Sequence, residues 1–175
     1  MYFPSTFLVV AFVVAASPVA AQNAQTPPPD CSAPVYRQLD FWLGEWDVSI
    51  KGSPVGTNVI TSEEKGCLIH ETWRDARGGT GQSFNFYDRQ DGKWHQVWVS
   101  STGAVLDLAG NYENGRVLYK GAGRRPDGAE VLHELAFSAN PDGTVRQHWQ
   151  VSADGGKTWT VTWDGLYVKK RAVGR

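Results

Sequence analysis

Four histidines, one glutamate among apolar neighbours and two cysteines are the side chains of this chain whose types and spacing could do chemistry. His70, His95, His133 and His148 fall on four separate segments, and no pair has the close spacing of a zinc site, so no metal is expected. His133 alternates in phase with Val131, Leu135 and Phe137 and is expected inside. His95 and His148 stand opposite the aromatic face of their segments and are expected outside. Glu71 is the sharper candidate, because it shares a face with Ile69 and Trp73. A carboxylate in an apolar interior must be paired or protonated, and desolvation raises its pKa into the range useful for proton transfer. With Tyr87 or His133 as partner, Glu71 would serve as a base. The alternative is a structural carboxylate bonded to Gln96, Tyr87, Asn85 or an arginine. No G-x-S-x-G elbow is present, and the Gly121–Arg125 run precedes no helix that could cradle a phosphate.

The eight tryptophans surround these groups. A buried Trp removes roughly 150–250 Å² from water, worth at most about 4–6 kcal/mol, so several must be ordinary core. Trp46 reads as a plug at a closed end. Trp73, Trp98, Trp149 and Trp163 read inward beside Glu71, Asn85, Gln96 and Gln147. Aromatic walls with a few polar groups are how small-molecule pockets are built. The tryptophans are therefore expected to wall a site for a small apolar or aromatic molecule, and the four polar residues to orient its polar end.

The positioning elements are short strands. Alternation and turn signals predict strands at 45–51, 56–63, 67–75, 81–88, 93–100, 104–111, 115–121, 130–138, 144–151 and 158–169. Asp91-Gly92, Asn114-Gly115, Pro126-Asp127-Gly128, Pro141-Asp142-Gly143 and Asp154-Gly155-Gly156 supply the turns. The expected fold is all-β, an antiparallel up-and-down barrel of about ten strands with one short N-terminal helix over Pro34–Leu39. Trp46, Val48 and Ile50 face in on the first strand, and Val145, Gln147, Trp149 and Val151 on the ninth. On the last, Trp159, Val161, Trp163 and Tyr167 are placed on the inner face. The fifth strand opposes Trp94, Gln96, Trp98 and Ser100 to His95, Val97 and Val99. Residues 152–159 match the Asp-box hairpin S-x-D-x-G-x-T-W, read here as turn architecture because one match cannot make a propeller.

Residues 1–21 read as a signal peptide, with the apolar run Phe7–Ala16 and small residues before Gln22. A retained membrane anchor is the rival reading. Residues 22–33 form a Pro-rich tether, 34–170 the barrel domain and 171–175 a tail. Cys31 and Cys67 suit a disulfide in an oxidising compartment, with buried thiols as the alternative. The destination is thus secretion, most simply to a periplasm. A net charge of −1 with scattered signs leaves no basic stripe for nucleic acid.

The stretch Phe41-Trp42-Leu43-Gly44-Glu45-Trp46 resembles the opening of calycin and lipocalin-like barrels, in which G-x-W begins the first strand after a short helix. It is similar to a group of uncharacterised bacterial secreted proteins that open F-W-x-G-x-W. That group shares segments like Gly79–Asp88, Gly92–Val99 and Asp154–Trp159, so the likeness spans roughly residues 31–170. More distantly, the chain resembles nitrobindin-like ten-stranded barrels, which hold haem through a histidine near the C-terminal end. No histidine follows His148, so that likeness implies no haem here, and no cofactor is expected. The implied fold is a barrel. The implied function is small-molecule binding, with a lyase or isomerase, or a packed envelope module, as the alternatives.

Overall fold

Strands and turns alternate along this chain because its inward-facing apolar residues recur every second position between glycines that can take positive φ. Two hairpins show the point. Lys51-Gly52 and Asn114-Gly115 both hold φ between 50° and 81°, the left-handed pair that a two-residue hairpin loop requires. The computed structural model describes residues 30–125 and 127–170. The expected signal peptide, most of the tether, Pro126 and the 171–175 tail lie outside the described residues.

The ten strands are β1 (Gly44–Ile50), β2 (Ser53–Glu63), β3 (Leu68–Asp75), β4 (Thr80–Asp88), β5 (Lys93–Ser100), β6 (Val105–Glu113), β7 (Arg116–Arg124), β8 (Glu130–Ala139), β9 (Val145–Ser152) and β10 (Thr160–Lys169). Each pairs antiparallel with its sequence neighbours, and β1 pairs with β10 to close the ring. Closure leaves no unpaired edge.

The N-terminal helix is a pair of 3₁₀ turns, Pro34–Arg37 and Asp40–Trp42, not one segment ending at Leu39. They lie under the end of the barrel where β2–β3, β4–β5, β6–β7 and β8–β9 connect. Leu39 and Trp42 are fully buried there, with Trp42 4.1 Å from Phe137 between ring centroids. Trp46 donates its indole N–H to the Trp42 carbonyl at 2.8 Å, and Trp94 donates to Gln38 Oε1 at 2.8 Å. The Cys31–Cys67 disulfide forms and ties this plug to the β2–β3 corner, where Arg37 also donates to the Gly66 carbonyl. No helix among the described residues is long and apolar enough to cross a membrane.

The inner faces of β3 to β9 follow the alternation; the register shifts twice, between β1 and β2 at Val48/Ser49 and in β10. Val161 is 52% exposed instead of facing in. The register explains it: Val161 opposes Gln150 while Trp163 opposes Trp149, so Thr162 is an extra residue in β10. One inserted residue reverses the side-chain phase, which puts Val161 outside and leaves Trp163, Gly165 and Tyr167 inside. Trp159, expected on the inner face of the last strand, instead precedes β10 and donates its indole N–H to the Gly156 carbonyl at 3.2 Å within the hairpin. That hairpin is held by Asp154, which accepts from Lys157 N, Thr158 N, Thr158 Oγ1 and Ser152 Oγ.

Candidate functional site: a tryptophan collar above a buried carboxylate

From the plug upward the interior changes character in three layers. Trp42, Trp46, Trp94, Val117, Phe137 and Val145 fill the closed end, where the Trp46 and Trp94 indoles are hydrogen-bonded and the Trp42 N–H is buried without a partner. A polar belt of Asn58, Glu71, Ser83, Asn85, Gln96, Tyr119, Gln147 and Tyr167 comes next. Above it, near the turns β3–β4, β5–β6 and β9–β10, stand Trp73, Trp98, Trp149 and Trp163. These last two layers enclose a cavity of about 160 Å³, lined by Glu71, Trp73, Gln96, Trp98, Leu106, Leu135, Gln147, Trp149, Trp163 and Tyr167.

The collar stays open because three of its four rings lie against a missing side chain. A Cβ on Gly56 would meet Trp73 Cη2 at 2.6 Å, and one on Gly165 would meet Trp163 Nε1 at 2.5 Å. A Cβ on Gly81 would run into the indole of Trp98. Glycine at these positions lets the rings fold flat on the barrel wall instead of projecting across the lumen. Trp73 and Trp163 then meet edge to face at 5.6 Å. Trp149 is held differently: its N–H donates to His133 Nδ1 at 3.1 Å, and Gly123 makes room for that imidazole. The Trp163 N–H is buried without a partner.

Glu71 is 3% exposed and sits in the row Ile60, Glu71, Ser83, Trp98 across β2 to β5. Its Oε1 accepts from Asn58 Nδ2 at 2.7 Å and its Oε2 from Ser83 Oγ at 2.6 Å. Burial pushes its carboxyl above the usual range. Ser83, then Asn58, then the nearby His70 pull against that rise. Behind Ser83, Asn85 donates to Ser83 Oγ at 2.9 Å and accepts from the Tyr119 hydroxyl at 3.3 Å. Tyr167 donates to Gln147 Oε1 at 2.6 Å. Burial first, and then the Glu71 charge, push the Tyr119 and Tyr167 hydroxyls well above their ordinary value.

Seven of the eight residues expected to form the binding site line the cavity: Glu71, Trp73, Gln96, Trp98, Gln147, Trp149 and Trp163. Asn85 does not. It lies one row nearer the plug, opposite Ile69 and Gln96, and supports Ser83 from there. The carboxylate's partners are Asn58 and Ser83, not Gln96, Tyr87 or an arginine. Among the described residues no ion pair includes Glu71; Arg37 pairs with Asp40 in the plug, and others, such as Arg146 with Asp164, pair on the outer wall.

The proposed catalytic set does not assemble. Tyr87 is four residues along β4 from Ser83, roughly 13 Å at about 3.3 Å per residue, with its ring against Tyr36 and Trp94 at the plug. His133 is on β8, which stands across the ring from β3 whichever way the strands are counted. It is buried as expected, and burial lowers its pKa and keeps it neutral as the acceptor for Trp149. His95 faces out, stacked on Phe86 and 3.0 Å from Asp91. With Asp88 it forms a cluster of potential metal-ligating side chains beside the β4–β5 turn, on the outside and away from the cavity. The spacing of the histidines does not point to it, because two of its members are carboxylates, Asp88 at the end of β4 and Asp91 in the turn.

Asn58 and Ser83 had a signal in the sequence: each alternates in phase with a buried residue, Ile60 and Asn85. What the signal lacks is register, which decides who stands beside whom. No protein-family model matches the chain, and none of the curated proteins matches it at a significant level.

Proposed function

We propose that this barrel binds a small apolar or aromatic molecule between Trp73, Trp98, Trp149 and Trp163, in a compartment outside the cytoplasm. The observation that carries the reading is the cavity itself: aromatic on its sides, polar only at its base, and kept open by glycines behind the rings. Its volume of about 160 Å³ is close to the roughly 150 Å³ that accommodates a benzene ring in an apolar protein cavity. One ring therefore fits inside, and any further part of the ligand extends past the collar. The disulfide supports an oxidising location. The resemblance to calycin-like barrels points the same way.

Titrating the protein with benzyl alcohol while following tryptophan emission tests the reading, together with native mass spectrometry of protein taken from its own host. Saturable quenching, or a bound mass released on denaturation, is expected. Emission that never saturates, with a clean ligand-free mass, would overturn it.

One observation favours a second reading. A carboxylate that faces the cavity with its pKa raised by burial has the right properties for a general base. In that reading Glu71 acts without Tyr87 and His133, and Tyr167, the nearest hydroxyl lining the same cavity, is the candidate proton partner. A packed envelope module has less support, because a cavity of about 160 Å³ remains in the interior.

A further inference from the structure

The hydrogen bonds around Glu71 run in one direction. Asn85 Nδ2 lies 3.4 Å from the Ile69 carbonyl, an atom that can only accept, so the amide nitrogen is the atom on that side. The same nitrogen donates to Ser83 Oγ, which frees the Ser83 hydrogen for Glu71 Oε2. At 2.6 Å that bond has the length of a hydroxyl donating to an ionised oxygen. Asn58 Nδ2 donates to the other oxygen. Both partners are thus set to donate to the carboxyl, an arrangement that favours its ionised form, the carboxylate anion, against the burial that opposes it.

That anion has no counter-charge. Asn58 and Ser83 are neutral, and among the described residues no lysine or arginine pairs with Glu71. Asn58 is itself fully buried, and its Oδ1 is a second acceptor with no partner. A buried charge without an opposite charge is costly. The face of Glu71 left open is the one that meets the cavity, whose walls are aromatic, and aromatic rings attract cations to their faces.

We propose that the ligand carries a cationic nitrogen, an ammonium attached to an apolar or aromatic group, and that Glu71 is its counter-ion. The inference rests on the reading of the cavity as a binding site. The ammonium sits at the base of the cavity against the carboxylate, and the apolar part fills the collar. An anionic ligand meets the same carboxylate and is refused. A neutral ligand of the same shape gains the tryptophan contacts alone.

Three one-ring probes of nearly equal size separate these cases: benzylamine, benzyl alcohol and benzoate, titrated near neutral pH against the intact protein. Benzylamine is expected to bind at least about tenfold more tightly than benzyl alcohol, which is about 1.4 kcal/mol, and benzoate more weakly than either. In Glu71→Gln the preference for benzylamine over benzyl alcohol should collapse towards unity, with circular dichroism confirming the fold. Benzyl alcohol binding as tightly as benzylamine in the wild-type protein would overturn the cationic assignment and leave the binding cavity standing. So would an unchanged preference in a folded Glu71→Gln. If Glu71→Gln does not fold, the wild-type ranking of the three probes decides alone. Binding of none of them would overturn the cavity reading and this one together.

Discussion

Adding one methyl group behind the collar should shrink the cavity without altering any residue that lines it. Gly165 is buried on β10 opposite Gln147, and the nearest atoms to an added Cβ all belong to one side chain: Trp163 Nε1 at 2.5 Å, Cε2 at 3.0 Å and Cδ1 at 3.4 Å. Ordinary contact begins at 3.4 Å, so in Gly165→Ala the indole edge must retreat by about 0.9 Å. One face of a side chain that buries roughly 150–250 Å² presents about 40–60 Å², so the shift takes roughly 35–55 Å³ from the lumen. Against about 160 Å³ that is about a fifth to a third, enough to exclude part of a ring. Overpacking costs about 1–3 kcal/mol, and relief of glycine's backbone entropy returns about 0.5–1 kcal/mol. The variant should thus fold with a modest loss of stability, read by thermal melting. Its affinity for benzyl alcohol should fall at least about tenfold. Trp163→Phe in the same chain removes the clashing nitrogen and should restore part of the loss, a coupling of about 0.5–3 kcal/mol in the double-mutant cycle. Wild-type affinity in Gly165→Ala at near wild-type stability would refute the reasoning that glycines keep the collar open.

Removing the disulfide by Cys31→Ser with Cys67→Ser should cost about 4 kcal/mol by the loop-entropy argument, measured by denaturant melts, because it frees the plug from the β2–β3 corner. Glu71 gives a pH signature. Its folded pKa is raised above the unfolded value, so in ligand-free protein its contribution to stability declines as pH rises from about 4.3 through the folded pKa. The difference in melting temperature between wild type and Glu71→Gln should follow that decline; an unchanging difference between about pH 4 and pH 8 would count against a desolvated carboxyl. The groups facing Glu71 are Tyr119 and Tyr167, both raised out of this window, and His70 on the outer wall, which His70→Gln controls for. Asp154 has the opposite sign. The Thr158 hydroxyl and amide hold it at about 2, so its support of the β9–β10 hairpin is present above the ordinary aspartate range and lost as pH falls towards 2. Asp154→Ala should speed amide exchange at Lys157 and Thr158.

Local physics reaches far in this chain. Alternation with a period of two, punctuated by Asn-Gly and Asp-Gly turns, is a backbone property of each segment. The ten strands are therefore legible, along with most inward faces, the Asp-box turn and the cavity walls from Trp73 to Trp163. Glu71 is legible as a buried carboxylate for the same reason. The identity of its partners is not. Gln96, Tyr87 and Asn85 all face inward, yet Asn58 and Ser83 hold the carboxyl, because pairing register and strand tilt set which inner residues share a row.

What the sequence by itself determined is the set of groups available inside: aromatic rings, a few amides and one acid, on strands that must close to hide their edges. Three things only the tertiary structure decided. The extra residue at Thr162 turns Val161 outward while keeping Trp163 in. Tyr87 and His133 are taken away from Glu71, one down at the plug and the other across the ring behind Trp149. And the glycines of neighbouring strands come to lie behind the tryptophan rings, so the collar opens instead of filling. Each depends on contacts between residues distant in the chain, which the alternation within one strand does not encode.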